Sequence, residues 1–152
     1  MNFSYNNYDI KPYKARNIIK KQQTAEENGI SYVNVNVFTA SGALPVSGAI
    51  VTVYHTYNGG DEHVLYNLIT DENGGVPTME VPIVYRGPGE QTEYTYSTYN
   101  LRVEANGYYT YNLLDFQVFP NITSSYSVNL IPTAQGEPSE RPSQTFIIPP
   151  RP

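Results

Sequence analysis

Tyr99-Asn-Leu-Arg-Val-Glu-Ala-Asn-Gly-Tyr-Tyr109 is the stretch that decides the fold. Tyr99, Leu101, Val103 and Ala105 alternate with Asn100, Arg102, Glu104 and Asn106, the period-2 pattern of a strand with one dry and one wet face. Asn106-Gly107 supplies a tight turn that tolerates positive φ, and an aromatic pair opens the next strand. The segment reads as a β-hairpin at the centre of a sandwich, and none of its groups is placed for chemistry.

Strand signals continue on both sides. Val33, Val35 and Val37 alternate with Asn34 and Asn36, and Ser41-Gly42 and Pro45 end that run. Ala49, Val51 and Val53 start a second strand that extends toward Tyr57, and Asn58-Gly59-Gly60-Asp61 turns into a returning strand over 63–70. Further strands are expected over 76–83, 94–105, 108–119 and 122–131, with a surface loop over 86–92. Seven or eight short strands at this spacing predict an all-β antiparallel sandwich. Val35, Val51, Val53, Leu101, Val103, Val128 and Leu130 fall on its inward phase. Ile50 with Tyr54, and Phe38 beside Val37, put apolar groups on outer faces and predict that one of them is covered.

Composition bounds the rest. The chain has 152 residues, enough for one domain with tails. With no cysteine, disulfides, thiolate metal sites and cysteine nucleophiles are excluded. No apolar window is long enough for a membrane-spanning helix, and residues 1–10 lack the apolar core of a signal peptide. Fifteen tyrosines without a tryptophan suit wet protein–protein surfaces.

Charge divides the chain into three zones. Residues 1–29 form a basic arm, five cations (Lys11, Lys14, Arg16, Lys20, Lys21) against three acids, a net of +2. A thin stripe of Ala15, Ile18 and Ile19 predicts a short helix over 13–27, ended by Gly29. Residues 30–132 are the sandwich. Residues 133–152 are a proline-rich tail with one apolar patch, Phe146-Ile147-Ile148. Beyond residue 29, four arginines stand against eleven acids, a net of −7, and no lysine follows Lys21. Five cations without an aromatic stacking platform point away from nucleic acid. The arm is better matched to the acidic body of a neighbouring copy.

Candidate chemistry is sparse. His55 and His63 flank the Asn58-Gly59 turn, where two imidazoles near Asp61 and Glu62 resemble half of a zinc site; solvated hairpin histidines are the simpler reading, and no metal or other cofactor is expected. Asp71, Glu72 and Asn73 offer oxygens, but in the pattern of a turn rather than a calcium loop. There is no Gly-x-Ser-x-Gly elbow for Ser/His/Asp catalysis. Asn121-Ile-Thr123 matches a glycosylation acceptor and reads as a turn. Tyr94, Tyr96, Tyr99, Tyr108, Tyr109 and Tyr111 crowd one hairpin region, where packing against protein is favoured over stacking on sugar.

Val35-Asn-Val-Phe-Thr-Ala40, Leu44-Pro-Val-Ser-Gly-Ala49, Val51-Thr-Val53 and Thr70-Asp-Glu-Asn-Gly74 together resemble the opening of a carboxypeptidase regulatory-like (transthyretin-like) domain. The run over 99–109, then Val118-Phe119, Ile122-Thr123 and Val128-Asn-Leu-Ile-Pro132, is similar to the N-terminal module of clostridial peptidoglycan-binding and spore cortex-lytic proteins. The resemblance covers 31–132 and implies a transthyretin-like or immunoglobulin-like sandwich in a spore or cell-wall setting. It brings no catalytic residues, since the module is an accessory one. The larger proteins carry a further domain after the module, where this chain has its proline tail. Hydroxyisourate hydrolases of this fold end in Tyr-Arg-Gly-Ser; here Tyr85-Arg86-Gly87 lies mid-chain before Pro88. Related adhesin sandwiches form Lys–Asn crosslinks, which a body without lysine cannot form within itself.

The expectation is a non-enzymatic, self-associating subunit of a bacterial surface structure: a spore-surface layer, appendage or filament. The alternatives are an accessory module that binds cell-wall glycan or a partner enzyme, and a bacteriophage virion protein. Partners are then copies of the chain, with peptidoglycan or spore-coat proteins beside them. The residues expected to carry self-association are Lys11, Lys14, Lys20 and Lys21 in the arm and Phe146, Ile147 and Ile148 in the tail. That apolar patch, bounded by proline, is suited to adding one short strand to a neighbour's open edge.

Overall fold

Nine strands form two sheets, with no helix among the described residues of the computed structural model, which are 29–83, 96–134 and 143–149. The expected helix over 13–27, the arm lysines and the 86–92 loop lie outside the described residues.

The first sheet is built on β1 (Ile30–Thr39), whose alternate residues Ser31 to Thr39 are all buried. Val33 pairs with both Met79 and Ser124, and Phe38 with both Pro45 and Asn129. Hence β2 (Leu44–Pro45) and β5 (Met79–Pro82) share one side of β1, and β8 (Thr123–Asn129) takes the other. The second sheet runs β4 (Glu62–Ile69), β3 (Ile50–Thr56), β6 (Ser97–Glu104), β7 (Thr110–Val118), β9 (Ser143–Ile147). Their facing sides make one core. Val35, Val51, Val53, Leu101, Val103, Val128 and Leu130, the inward set expected from alternation, are each at most 1% exposed.

Five of the seven strand pairs are antiparallel, and β1·β8 and β7·β9 run parallel. The first follows from where the chain changes sheet. Asn121 N–H donates to the Ile30 carbonyl and Tyr32 N–H to the Ile122 carbonyl, so the chain leaves β7 at the entry of β1 and can only run onward beside it. The strand expected over 76–83 is shorter because Pro77 has no N–H to donate, and only Met79–Pro82 joins the ladder.

The tail patch becomes a strand, but on the chain's own β7 rather than on a neighbour's edge. Thr133 N–H donates to the Gly107 carbonyl and Ser143 pairs with Thr110, so both ends of the short connection sit beside the start of β7.

The two ends of the sandwich differ. One gathers Gly29, Pro120, Tyr99 and the 57–61 turn; Tyr99 Oη donates to the Pro82 carbonyl there at 2.5 Å. The other holds the 40–43, 71–75 and 105–108 turns.

Candidate assembly edges

The second sheet ends in β4 on one side and β9 on the other, and neither outer edge pairs with a strand among the described residues. Thr70 N–H donates to the Ala49 carbonyl and Thr70 accepts from Gly48 N–H. Backbone groups alternate along a strand, so those of Asn67 and Ile69 point outward from the sheet. Likewise Ile148 N–H donates to the Leu114 carbonyl, which turns the backbone of Thr145 and Ile147 outward.

Both edges carry exposed apolar side chains, and neither has a lysine. On β4, Ile69 is 67% exposed beside its cross-strand partner Ile50, and Val64 is exposed beside Tyr54. On β9, Ile147 is 66% and Phe146 49% exposed, while Ile148 packs against the core and the Phe146 ring lies 5.2 Å from that of Tyr111. Charged guards are what soluble proteins place on such edges. The Phe146-Ile147-Ile148 patch therefore sits on an edge; Lys11, Lys14, Lys20 and Lys21 are outside the described residues. The β4 edge was not singled out from sequence. Its signal was there: Val64, Leu65, Leu68 and Ile69 depart from strict alternation in a body devoid of lysine.

β4 is held firmly. Tyr66 Oη donates to the Glu80 carbonyl at 2.9 Å and accepts from Glu80 N–H, tying the edge to the opposite sheet. Glu62 pairs with Arg102 through two hydrogen bonds, that from Nη1 to Oε2 being 3.2 Å, and this raises the guanidinium further above its ordinary value. The same guanidinium carbon lies 4.7 Å from the Tyr54 ring centroid. Tyr54 is buried on the outer face: the cover expected there is Arg102, with Val64 beside it, all from the chain itself.

Asn100 and Asp115 form a second feature that sequence did not disclose. The ladder between β6 and β7 slips at this point, and Asp115 adopts a positive φ of 58°. Asp115 N–H donates to Asn100 Oδ1 at 2.9 Å and Asn100 Nδ2 to Thr56 Oγ1 at 3.0 Å, so the buried amide serves a β-bulge. Its signature is the spacing of Leu113 and Phe116, both inward yet three residues apart.

His55 and His63 do face each other across the β3–β4 ladder. His55 Nδ1 lies 3.2 Å from the Thr98 carbonyl, and Tyr57 makes edge contacts with both imidazoles, at 4.8 and 6.0 Å. Among the described residues no third histidine or carboxylate joins them in a metal-binding group. Asp71 Oδ1 accepts from Asn73 and Gly75 N–H, the turn-forming role expected of it. Asn121 likewise serves a turn, at φ 60°. Of the clustered tyrosines, Tyr99 is core, Tyr108 and Tyr111 pack against the core, and Tyr96 meets Phe119 at 5.8 Å; Tyr94 lies outside the described residues. Burial pushes the phenols of Tyr99, Tyr111 and Tyr126 up, that of Tyr99 to about 12.

No family model matches the chain, and no curated protein does. Among solved structures, it is similar to catechol 1,2-dioxygenase from Acinetobacter radioresistens (TM-score 0.47, 15% identity, 82% of this chain and 59% of that one). It is also similar to 3-chlorocatechol 1,2-dioxygenase from Rhodococcus opacus (0.47, 14%, 70% and 60%) and to a minor pilin of Streptococcus agalactiae (0.45, 12%, 75% and 49%). The chain thus spans about three-fifths of the length of the dioxygenases it matches. No chemistry is carried over from these likenesses.

Proposed function

We propose that this chain is a non-enzymatic structural subunit that associates with copies of itself in a bacterial surface assembly, a spore-surface layer, appendage or filament. The observation that carries the reading is the pair of lysine-free edges with exposed apolar side chains, β4 and β9, on opposite sides of one sheet. Exposed edges template pairing with further strands. The charge division adds to it: among the described residues Asp61, Glu62, Asp71, Glu72, Glu80, Glu104 and Asp115 stand against Arg102 alone, while the basic arm precedes them in sequence. Arm and body of different copies attract one another. The bacterial setting and the carboxypeptidase regulatory-like family rest on the sequence resemblance over 31–132.

Sedimentation velocity of the intact chain over a concentration series tests the reading. Growth into large species with rising concentration, weakened by added salt, is expected. A single monomeric boundary at every concentration would overturn it.

A further inference from the structure

Asn-Gly pairs occupy three of the turns: Asn58-Gly59 between β3 and β4, Asn73-Gly74 between β4 and β5, and Asn106-Gly107 between β6 and β7. In such a pair the backbone nitrogen of the glycine can attack the side-chain amide carbon of the asparagine, because glycine has no Cβ to hinder the approach. The bond to the side-chain nitrogen breaks and ammonia leaves, closing a succinimide ring. Water then opens the ring at one carbonyl or the other, which leaves aspartate or isoaspartate. Water is the one co-reactant, and nothing is oxidised or reduced. In a folded protein the rate depends on whether the glycine nitrogen is free to turn toward the side chain.

The three turns differ in that freedom. Gly74 is pinned: its N–H donates to the Asp71 carbonyl at 3.0 Å, and its own carbonyl accepts from Val37 N–H at 2.7 Å. It lies so close to the Val37 carbonyl that a Cβ has no room, and Asp71 Oδ1 holds the N–H groups of Asn73 and Gly75 on either side. Gly107 is held at its carbonyl, which accepts from Thr133 N–H at 2.9 Å. By contrast, among the described residues no hydrogen bond reaches Asn58 or Gly59. The bonds that close this turn run from Gly60 N–H to the Tyr57 carbonyl and from Tyr57 N–H to the Asp61 carbonyl, and they leave the Gly59 nitrogen unengaged. Asn58, Gly59 and Gly60 are all exposed, and both glycines have open space where a Cβ would stand. Two glycines in succession, at φ 102° and 90°, let the peptide between Asn58 and Gly59 rotate at little cost.

We propose that Asn58 is a site of spontaneous modification in the folded protein, converted by water to aspartate and isoaspartate, while the fold protects Asn73. Either product adds a negative charge to a turn that already precedes Asp61 and Glu62. Isoaspartate also routes the main chain through the former side chain, lengthening by a methylene the turn that leads into β4. Since the reaction needs no enzyme, the product accumulates with the age of each molecule.

The test holds the full-length protein at mildly alkaline pH, folded in buffer and unfolded in urea side by side. Peptide mapping by mass spectrometry follows Asn58, Asn73 and Asn106 over time, and the unfolded chain gives the rate that each pair has without structure. In the folded chain Asn58 should convert at close to its unfolded rate. Asn73 should be slowed by about tenfold or more, the factor carried by each ~1.4 kcal/mol needed to open its turn. Asn58→Gln should abolish the early acidic species that ion-exchange chromatography resolves in the aged protein. Protection of Asn58 by the fold as strong as that of Asn73, or conversion of Asn73 in the folded chain as fast as that of Asn58, would overturn the proposal.

Discussion

Leu101 sits fully buried at the centre of the second sheet, opposite Val53 on one side and Leu113 on the other. Truncation there leaves a cavity between two sheets that cannot both collapse, so Leu101→Ala should cost on the order of 2–5 kcal/mol, read from urea unfolding. A loss under about 0.5 kcal/mol, typical of a surface site, would contradict the register. Gly74 makes a different demand. At φ 79° it already has the left-handed conformation, and a Cβ would stand 2.3 Å from the Val37 carbonyl oxygen. Gly48, at φ 77°, has open space around it. Gly74→Ala should therefore destabilise clearly more than Gly48→Ala, whose cost is about 1–2 kcal/mol for the backbone alone; equal losses would mean the turn yields. Tyr99 links stability to alkaline pH. Burial first, then the nearby Tyr57 charge, raises its phenol from 10.0 to about 12, so the folded state holds the proton more tightly than the unfolded chain. Its stabilisation is complete below pH 10 and is lost as pH rises through about 12. Tyr99→Phe should flatten that alkaline loss in a pH series of unfolding midpoints. At neutral pH it should cost about 0.5–1.5 kcal/mol through the lost bond to the Pro82 carbonyl. An unchanged alkaline profile would contradict this account of Tyr99.

Strands were legible wherever one face is dry. In β1 and β6 the inward valines and leucines keep strict period 2 and are all buried; only Asn100, the bulge amide, is buried against the pattern. Pairing partners were not legible, because alternation gives a strand its face and says nothing of its neighbour. The parallel run of β8 beside β1 depends on where the chain crosses between sheets, and the bulge at Asp115 on a left-handed backbone whose N–H is met by the Asn100 amide across the ladder. The tail could be read as a strand from its β-prone residues and flanking prolines, whereas its place on β7 depends on the Thr133–Gly107 contact that precedes it. Being five residues long and largely exposed, β9 adds little to the fold. Deleting 143–152 should leave a cooperative thermal transition with the midpoint lowered by a few degrees, chiefly through lost packing of Ile148 and Phe146. Loss of the transition altogether would make β9 an obligatory part of the core.

At the scale of the molecule, an open five-stranded sheet with unlike edges has a direction. The described residues are acidic, with seven carboxylates against Arg102, and the basic arm precedes them in sequence, so assembly should weaken as ionic strength rises. Negative-stain electron microscopy of the full-length chain over a concentration series tests the self-association reading most directly. The account predicts an ordered assembly of many copies, a layer or filament, that appears as concentration rises. Single monomers at every concentration would contradict it.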